Sequence, residues 1–174
     1  MLHHEISGNG KKPLVLLHGF MENTTIWNEM EAHLSKDFTL IKIDLPGHGK
    51  SKVYQEIHTV ELMAEKVKEV IDALKLEKIN LLGHSLGGYV SLAFAEKFPE
   101  ILESMTLFFS TTVADDEEKK EIRTRSIAVI DENFETFVKT SIPNLFSNNE
   151  KDILEGKIEL AKNIAKSTDK EGVK

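Results

Sequence analysis

The chain of 174 residues contains no cysteine. That excludes a disulfide scaffold, a thiol nucleophile and cysteine-ligated zinc. Basic residues are in the minority, with 22 Lys and Arg against 29 Asp and Glu and a formal net charge of −7. No basic face is available to neutralise phosphates, so nucleic acid is not an expected partner. No apolar run approaches the length of a bilayer span, and no membrane partner is expected either. The opening MLHHEIS lacks the basic and apolar regions of a signal peptide, and the expected location is cytoplasmic. What the chain does have is 40% hydrophobic residues, enough for a core, and 29% charged residues, which fits a soluble surface. Its length fits one domain, with room for a small inserted subdomain.

Along the first hundred residues, strand-like and helix-like segments alternate. Leu14 to Leu17, Phe38 to Ile43, Ile79 to Leu82 and Met105 to Phe109 are short, nearly continuous apolar runs. Such runs suit parallel strands covered on both faces. Leu2 to Ile6 is a candidate edge strand. Between them, Ile26, Met30 and Leu34 repeat at helical spacing. Thr59 is placed to cap a helix lined by Val60, Ala64, Val67, Ile71 and Leu74. Leu86, Val90, Ala93 and Phe94 mark a third helix, followed by Pro99. The order predicts an α/β fold with a mostly parallel, doubly wound sheet and right-handed crossovers.

The character changes after Ser110. ADDEEKKEIRTR puts acids before bases, which suits the dipole of a helix starting near Asp115. Phe134, Phe137 and Val138 suggest a further helix, stopped near Pro143. Ile153, Leu154, Ile158, Ala161 and Ala165 suggest another, running to about Lys166. The chain is therefore expected to divide into a core at 1–110 and a helical region at 111–174, with the charge run as a solvated face.

Gly83-His84-Ser85-Leu86-Gly87 matches G-x-S-x-G, between a strand and a helix. A strand that turns sharply into a helix with serine at the apex leaves no room for side chains two residues away on either side. The helix N-terminus then offers free N–H groups and a positive dipole end to an oxyanion. Ser85 is thus a candidate nucleophile; the plain alternative is a tight turn without chemistry. His18-Gly19-Phe20 follows the first long strand. The N–H groups of Phe20 and Leu86 are the candidate oxyanion hole. His18 is expected to hold its loop by hydrogen bonds rather than act as base, and His84 to point away from the serine. Asp44 to Ser51, DLPGHGKS, ends as a phosphate-binding loop does. It lacks the first glycine, since Asp44 stands there, and no helical pattern begins at Lys50. It reads instead as a turn-rich loop in which Asp44 braces backbone N–H groups.

LLHGF, DLPGHGKS and LLGHSLGGYVSLAFAEKFPE stand in the order and approximate spacing of the α/β-hydrolase fold superfamily, which the chain resembles closely over residues 2–110. Residues 111–174 resemble the variable helical cap of that superfamily. Within it the chain looks most like small esterases, C–C hydrolases and the related enzyme of menaquinone synthesis. Serine at position 85 speaks against the haloalkane dehalogenases, which place aspartate there. The resemblance implies a small-molecule substrate carrying an ester, thioester or activated C–C bond; no cofactor or metal is expected, since no histidine and carboxylate cluster has ligand spacing.

One part of that pattern is missing. The family's chain order is serine, then acid, then histidine. The seven histidines are His3, His4, His18, His33, His48, His58 and His84, and none follows Ser85. Asp131, Asp152 and Asp169 lie in helical or tail sequence. Without a base a serine hydroxyl is a poor nucleophile. The expectation is an N-terminal piece of a serine hydrolase, weak or inactive alone. A natural short homologue that binds a ligand without turnover, or borrows a histidine from a partner chain, is the alternative. The run Met105 to Phe109 is expected to form an exposed apolar sheet edge, through which copies associate.

Overall fold

The computed structural model describes residues 1–173. Five strands form one sheet: β1 (His4–Ser7), β2 (Lys12–Leu17), β3 (Phe38–Ile43), β4 (Ile79–His84) and β5 (Leu102–Phe108). Their spatial order is β1-β3-β2-β4-β5, parallel throughout except for β1, which runs antiparallel to β3. The fold is the α/β architecture predicted. The edge strand starts two residues later than Leu2, whose buried side chain joins the core instead. β4 continues through His84, and β5 starts at Leu102 and stops one residue before Phe109. Phe109 has left-handed backbone, φ 47°, which no strand residue can adopt.

Alternation along the strands sorts the core into two layers. Val15 and Leu17 of β2 face the same side as Ile41, Ile43 and Leu81. There they meet α2 (Val60–Ala73) and α3 (Leu86–Lys97) through Val67, Ile71, Val90 and Phe94. Leu14, Leu16 and Leu40 face the other side and pack on Trp27, Ile26, Met30 and Leu34. Those last residues form a 3-10 turn, Thr24–Trp27, leading into α1 (Asn28–Leu34). The expected single helix is thus two pieces, because the Asn23 side chain caps the 3-10 turn through the Thr25 N–H. Thr59 caps α2 as expected, accepting from the Leu62 N–H. Lys42 is buried in β3, where ion pairs with Glu31 (2.8 Å) and Glu5 (3.2 Å) offset its desolvation.

α4 (Glu117–Ser141) and α5 (Glu155–Lys166) follow the sheet. Asp116 caps α4 through the Lys119 N–H. The two helices expected on either side of residue 130 are one run with a kink at Asn133, whose φ of −157° and ψ of 86° are non-helical. The Asn133 side chain recaps the second half by accepting from the Thr136 N–H. Pro143 lies inside a 3-10 turn, Ile142–Leu145. Ile153 precedes α5 and is 84% exposed, so it is not a core position. Ile130, Val138, Ile142 and Ala165 form a separate cluster with Met21 and Val173. Met21 ties this helical layer to the loop after β2. Among the described residues no helix is long and apolar enough to cross a membrane.

Candidate active site

Ser85 sits at the junction of β4 and α3 with φ 48° and ψ −110°. That left-handed backbone costs a non-glycine residue about 1–3 kcal/mol. The surroundings impose it. The Ser85 N–H donates to the Phe108 carbonyl at 3.0 Å, and its carbonyl accepts from the Gly88 N–H and the Ser110 hydroxyl, both at 2.9 Å. Its own side chain makes no capping bond to the helix. A Cβ on Gly83 would overlap the Gly87 carbonyl, and one on Gly87 would overlap the Leu17 carbonyl. Glycine is therefore required at both flanks, as the motif predicts.

Gly19, Phe20 and Leu86 line the same cavity as Ser85. Its volume is about 960 Å³, roofed by apolar side chains of α4 and α5 such as Ile130, Phe137 and Ile164. The N–H groups of Phe20 and Leu86 enter no turn or loop hydrogen bond among the described residues. Phe20 is followed by Met21 at φ 57°, a second strained residue within one loop of the serine.

The histidines divide by function in the fold. His18 is fully buried; its Nδ1–H donates to the Gly19 carbonyl (2.7 Å), and Nε2 accepts from the Leu45 N–H (2.9 Å). Burial, reinforced by neighbouring His48, pushes its pKa down to about 3. Both nitrogens are occupied, so it latches two loops, as expected. His48 is also buried, donates from Nδ1 to the Pro46 carbonyl (2.9 Å), and leaves Nε2 without a partner. Burial holds it below the ordinary imidazole value. His58 Nε2 accepts from the Tyr54 N–H at 3.0 Å. His84, expected to point away from the serine, lines the same cavity as Ser85; its ring meets Phe108 at a tilt and Phe109 edge-on, and its Nδ1–H donates to Glu22 Oε2 at 2.8 Å.

Asp44 braces the DLPGHGKS loop as expected. Oδ1 accepts from the Thr24 N–H (2.8 Å) and Oδ2 from the Lys50 N–H (2.9 Å). Glu22 and Ser110 went unmarked in the sequence, since neither belongs to a local motif. Arg123, held by Asp115, lines the cavity from α4 and was also unforeseen.

A mostly parallel sheet, a serine on a strained strand–helix bend and a cavity above it define an α/β-hydrolase architecture. Residues 12–148 match the family described as alpha/beta hydrolase fold, and the chain belongs to that family. A 2-hydroxy-6-oxononadienedioate/2-hydroxy-6-oxononatrienedioate hydrolase of Escherichia coli is 35% identical over 111 residues, covering 61% of this chain and 38% of that protein. A thermophilic esterase from Thermogutta terrifontis superposes with a TM-score of 0.91 at 33% identity, over 99% of this chain and 64% of its own. An enol-lactonase from Burkholderia xenovorans LB400 shares the fold at a TM-score of 0.91 and 24% identity, over 99% of this chain and 66% of its own. The chain spans about a third of the length of the curated relatives it matches and about two thirds of the solved structures. Its relatives include hydrolases and esterases.

Proposed function

We propose that this chain carries the nucleophile and oxyanion half of a serine hydrolase acting on an ester, thioester or activated C–C bond. Ser85 Oγ attacks the carbonyl carbon while its proton passes to a base supplied from outside this half, and the Phe20 and Leu86 N–H groups receive the developing oxyanion. The helical layer acts as a cap that gives a small-molecule substrate an apolar wall. The observation that carries this reading is the backbone of Ser85, held at φ 48° against its own preference while its side chain is left free of the helix. Strain of that kind persists only where the surroundings enforce it.

A second reading, a ligand-binding module without turnover, is favoured by one observation. The buried histidine nearest the oxyanion loop, His18, has both ring nitrogens committed to holding loops. A fluorophosphonate probe separates the two. Labelling of the intact chain that disappears in Ser85→Ala supports the nucleophile. Absence of labelling at any pH, with ligand binding indifferent to Ser85→Ala, supports the binding module.

A further inference from the structure

Glu22 lies three residues after Gly19, in a loop that no motif marks. Its Oε2 accepts from the Gly19 N–H at 2.6 Å and from His84 Nδ1–H at 2.8 Å. An ionised carboxylate can only accept, so both neighbours must donate, and this fixes His84 as the Nδ1–H tautomer when neutral. The Glu22 N–H closes the same turn onto the Gly19 carbonyl at 3.2 Å. The space over Gly19 is filled by this arrangement: a Cβ there would stand 2.6 Å from Glu22 Oε2 and 2.9 Å from His84 Nδ1. One oxygen atom thus joins the loop that presents the Phe20 N–H to the residue directly before Ser85. The side chains of Glu22 and His84 are each about three-quarters covered, so water competes weakly for these bonds.

We propose that Glu22 is a positioning residue that bolts the Gly19–Glu22 turn to His84 and so sets the distance between the Phe20 N–H and Ser85. The proposal rests on the reading of Ser85 and Phe20 given above. Without the bolt, the Gly19 N–H loses its acceptor, the turn is held only through the Gly19 carbonyl, and the Phe20 N–H swings off the oxyanion. Charge-assisted bonds to one carboxylate are suited to this, because they are short and strongly directional.

The test compares wild type, Glu22→Ala and Glu22→Gln, each checked for folding by thermal denaturation. Two quantities are read: the rate of fluorophosphonate labelling at Ser85, and the His84 tautomer by nitrogen-15 NMR. Misplacing one oxyanion donor slows reaction by about 100-fold, and that loss is expected in Glu22→Ala. Glutamine still accepts from the Gly19 N–H, so Glu22→Gln restores most of the rate. The same amide oxygen accepts from His84 Nδ1–H as well, so the Nδ1–H tautomer is kept in Glu22→Gln and is no longer fixed in Glu22→Ala. A folded Glu22→Ala chain that labels at the wild-type rate overturns the proposal. Should Glu22→Ala fail to fold, Glu22→Met, which keeps the side-chain length but offers no such acceptor, takes its place, and labelling at the wild-type rate in it overturns the proposal. If wild type itself never labels, the nucleophile reading falls by itself. The bolt is then judged on NMR alone: loss of the fixed Nδ1–H tautomer together with faster Gly19 amide exchange in Glu22→Ala supports it, and the absence of either change overturns it.

Discussion

Acidification should unlatch the loop after β2 through His18, and the size of the effect follows from its burial. In the unfolded chain His18 titrates near the ordinary value of 6.5, whereas in the fold it is held near 3. The native state binds the proton less readily than the unfolded state, so protons favour unfolding. Above 6.5 the two states bind equally few protons and pH has no effect. Below 6.5 stability falls by 1.36 kcal/mol per pH unit until the folded value is reached. Between pH 7.5 and pH 5.0 this amounts to about 2 kcal/mol, rising to roughly 5 kcal/mol below pH 3. The pH 5.0 figure is set by the unfolded value, because the folded site is still almost wholly neutral there. The mechanism is specific: a proton on Nε2 would face the Leu45 N–H that now donates to it. Urea denaturation of wild type and His18→Gln at the two pH values isolates this share, since glutamine accepts the same bond without titrating. Wild type should lose about 2 kcal/mol more than the variant. Equal losses in the two proteins would refute the latch.

Other consequences are simpler to check. Asp44→Ala leaves the Thr24 and Lys50 N–H groups without their acceptor and should cost about 2–4 kcal/mol in chemical denaturation, with Asp44→Asn intermediate; a loss under 1 kcal/mol would remove Asp44 as the brace of that loop. β5 ends the sheet, and Phe109 beyond it is 81% exposed. Sedimentation should therefore show self-association that weakens in Phe109→Asp, and a wild-type monomer at high concentration would contradict it.

Much of the architecture was legible because its causes are local. Runs such as Leu14 to Leu17 are apolar on both faces, which only a covered strand tolerates. Thr59 before an apolar periodicity announced α2, and the two glycines around Ser85 announced the bend. Local signals failed where two elements compete for one stretch. Phe109 continues an apolar run, yet the chain must turn there, and the turn wins. Around Asn133 the periodicity is helical on both sides, so no local pattern marks the kink.

The candidate site was half legible. G-x-S-x-G works at short range, because overlaps between residues 83, 85 and 87 arise within one bend. His18 and Asp44 each sit just past a strand end, where their side chains accept from backbone N–H groups of neighbouring loops. Glu22 could not be read, because its meaning lies in His84, 62 residues away. The same holds for Met21, whose burial depends on α4 and α5.

The amino-acid order by itself determined the alternation of strands and helices, the position of the sharp turn and the lack of any histidine after residue 84. Tertiary structure alone decided which of the earlier histidines are occupied, which carboxylate meets the turn after β2, and what roofs the cavity. The reason is range. Steric exclusion and backbone capping act between near neighbours and leave marks in the sequence, whereas a hydrogen bond between distant loops exists only once a sheet has brought their ends together.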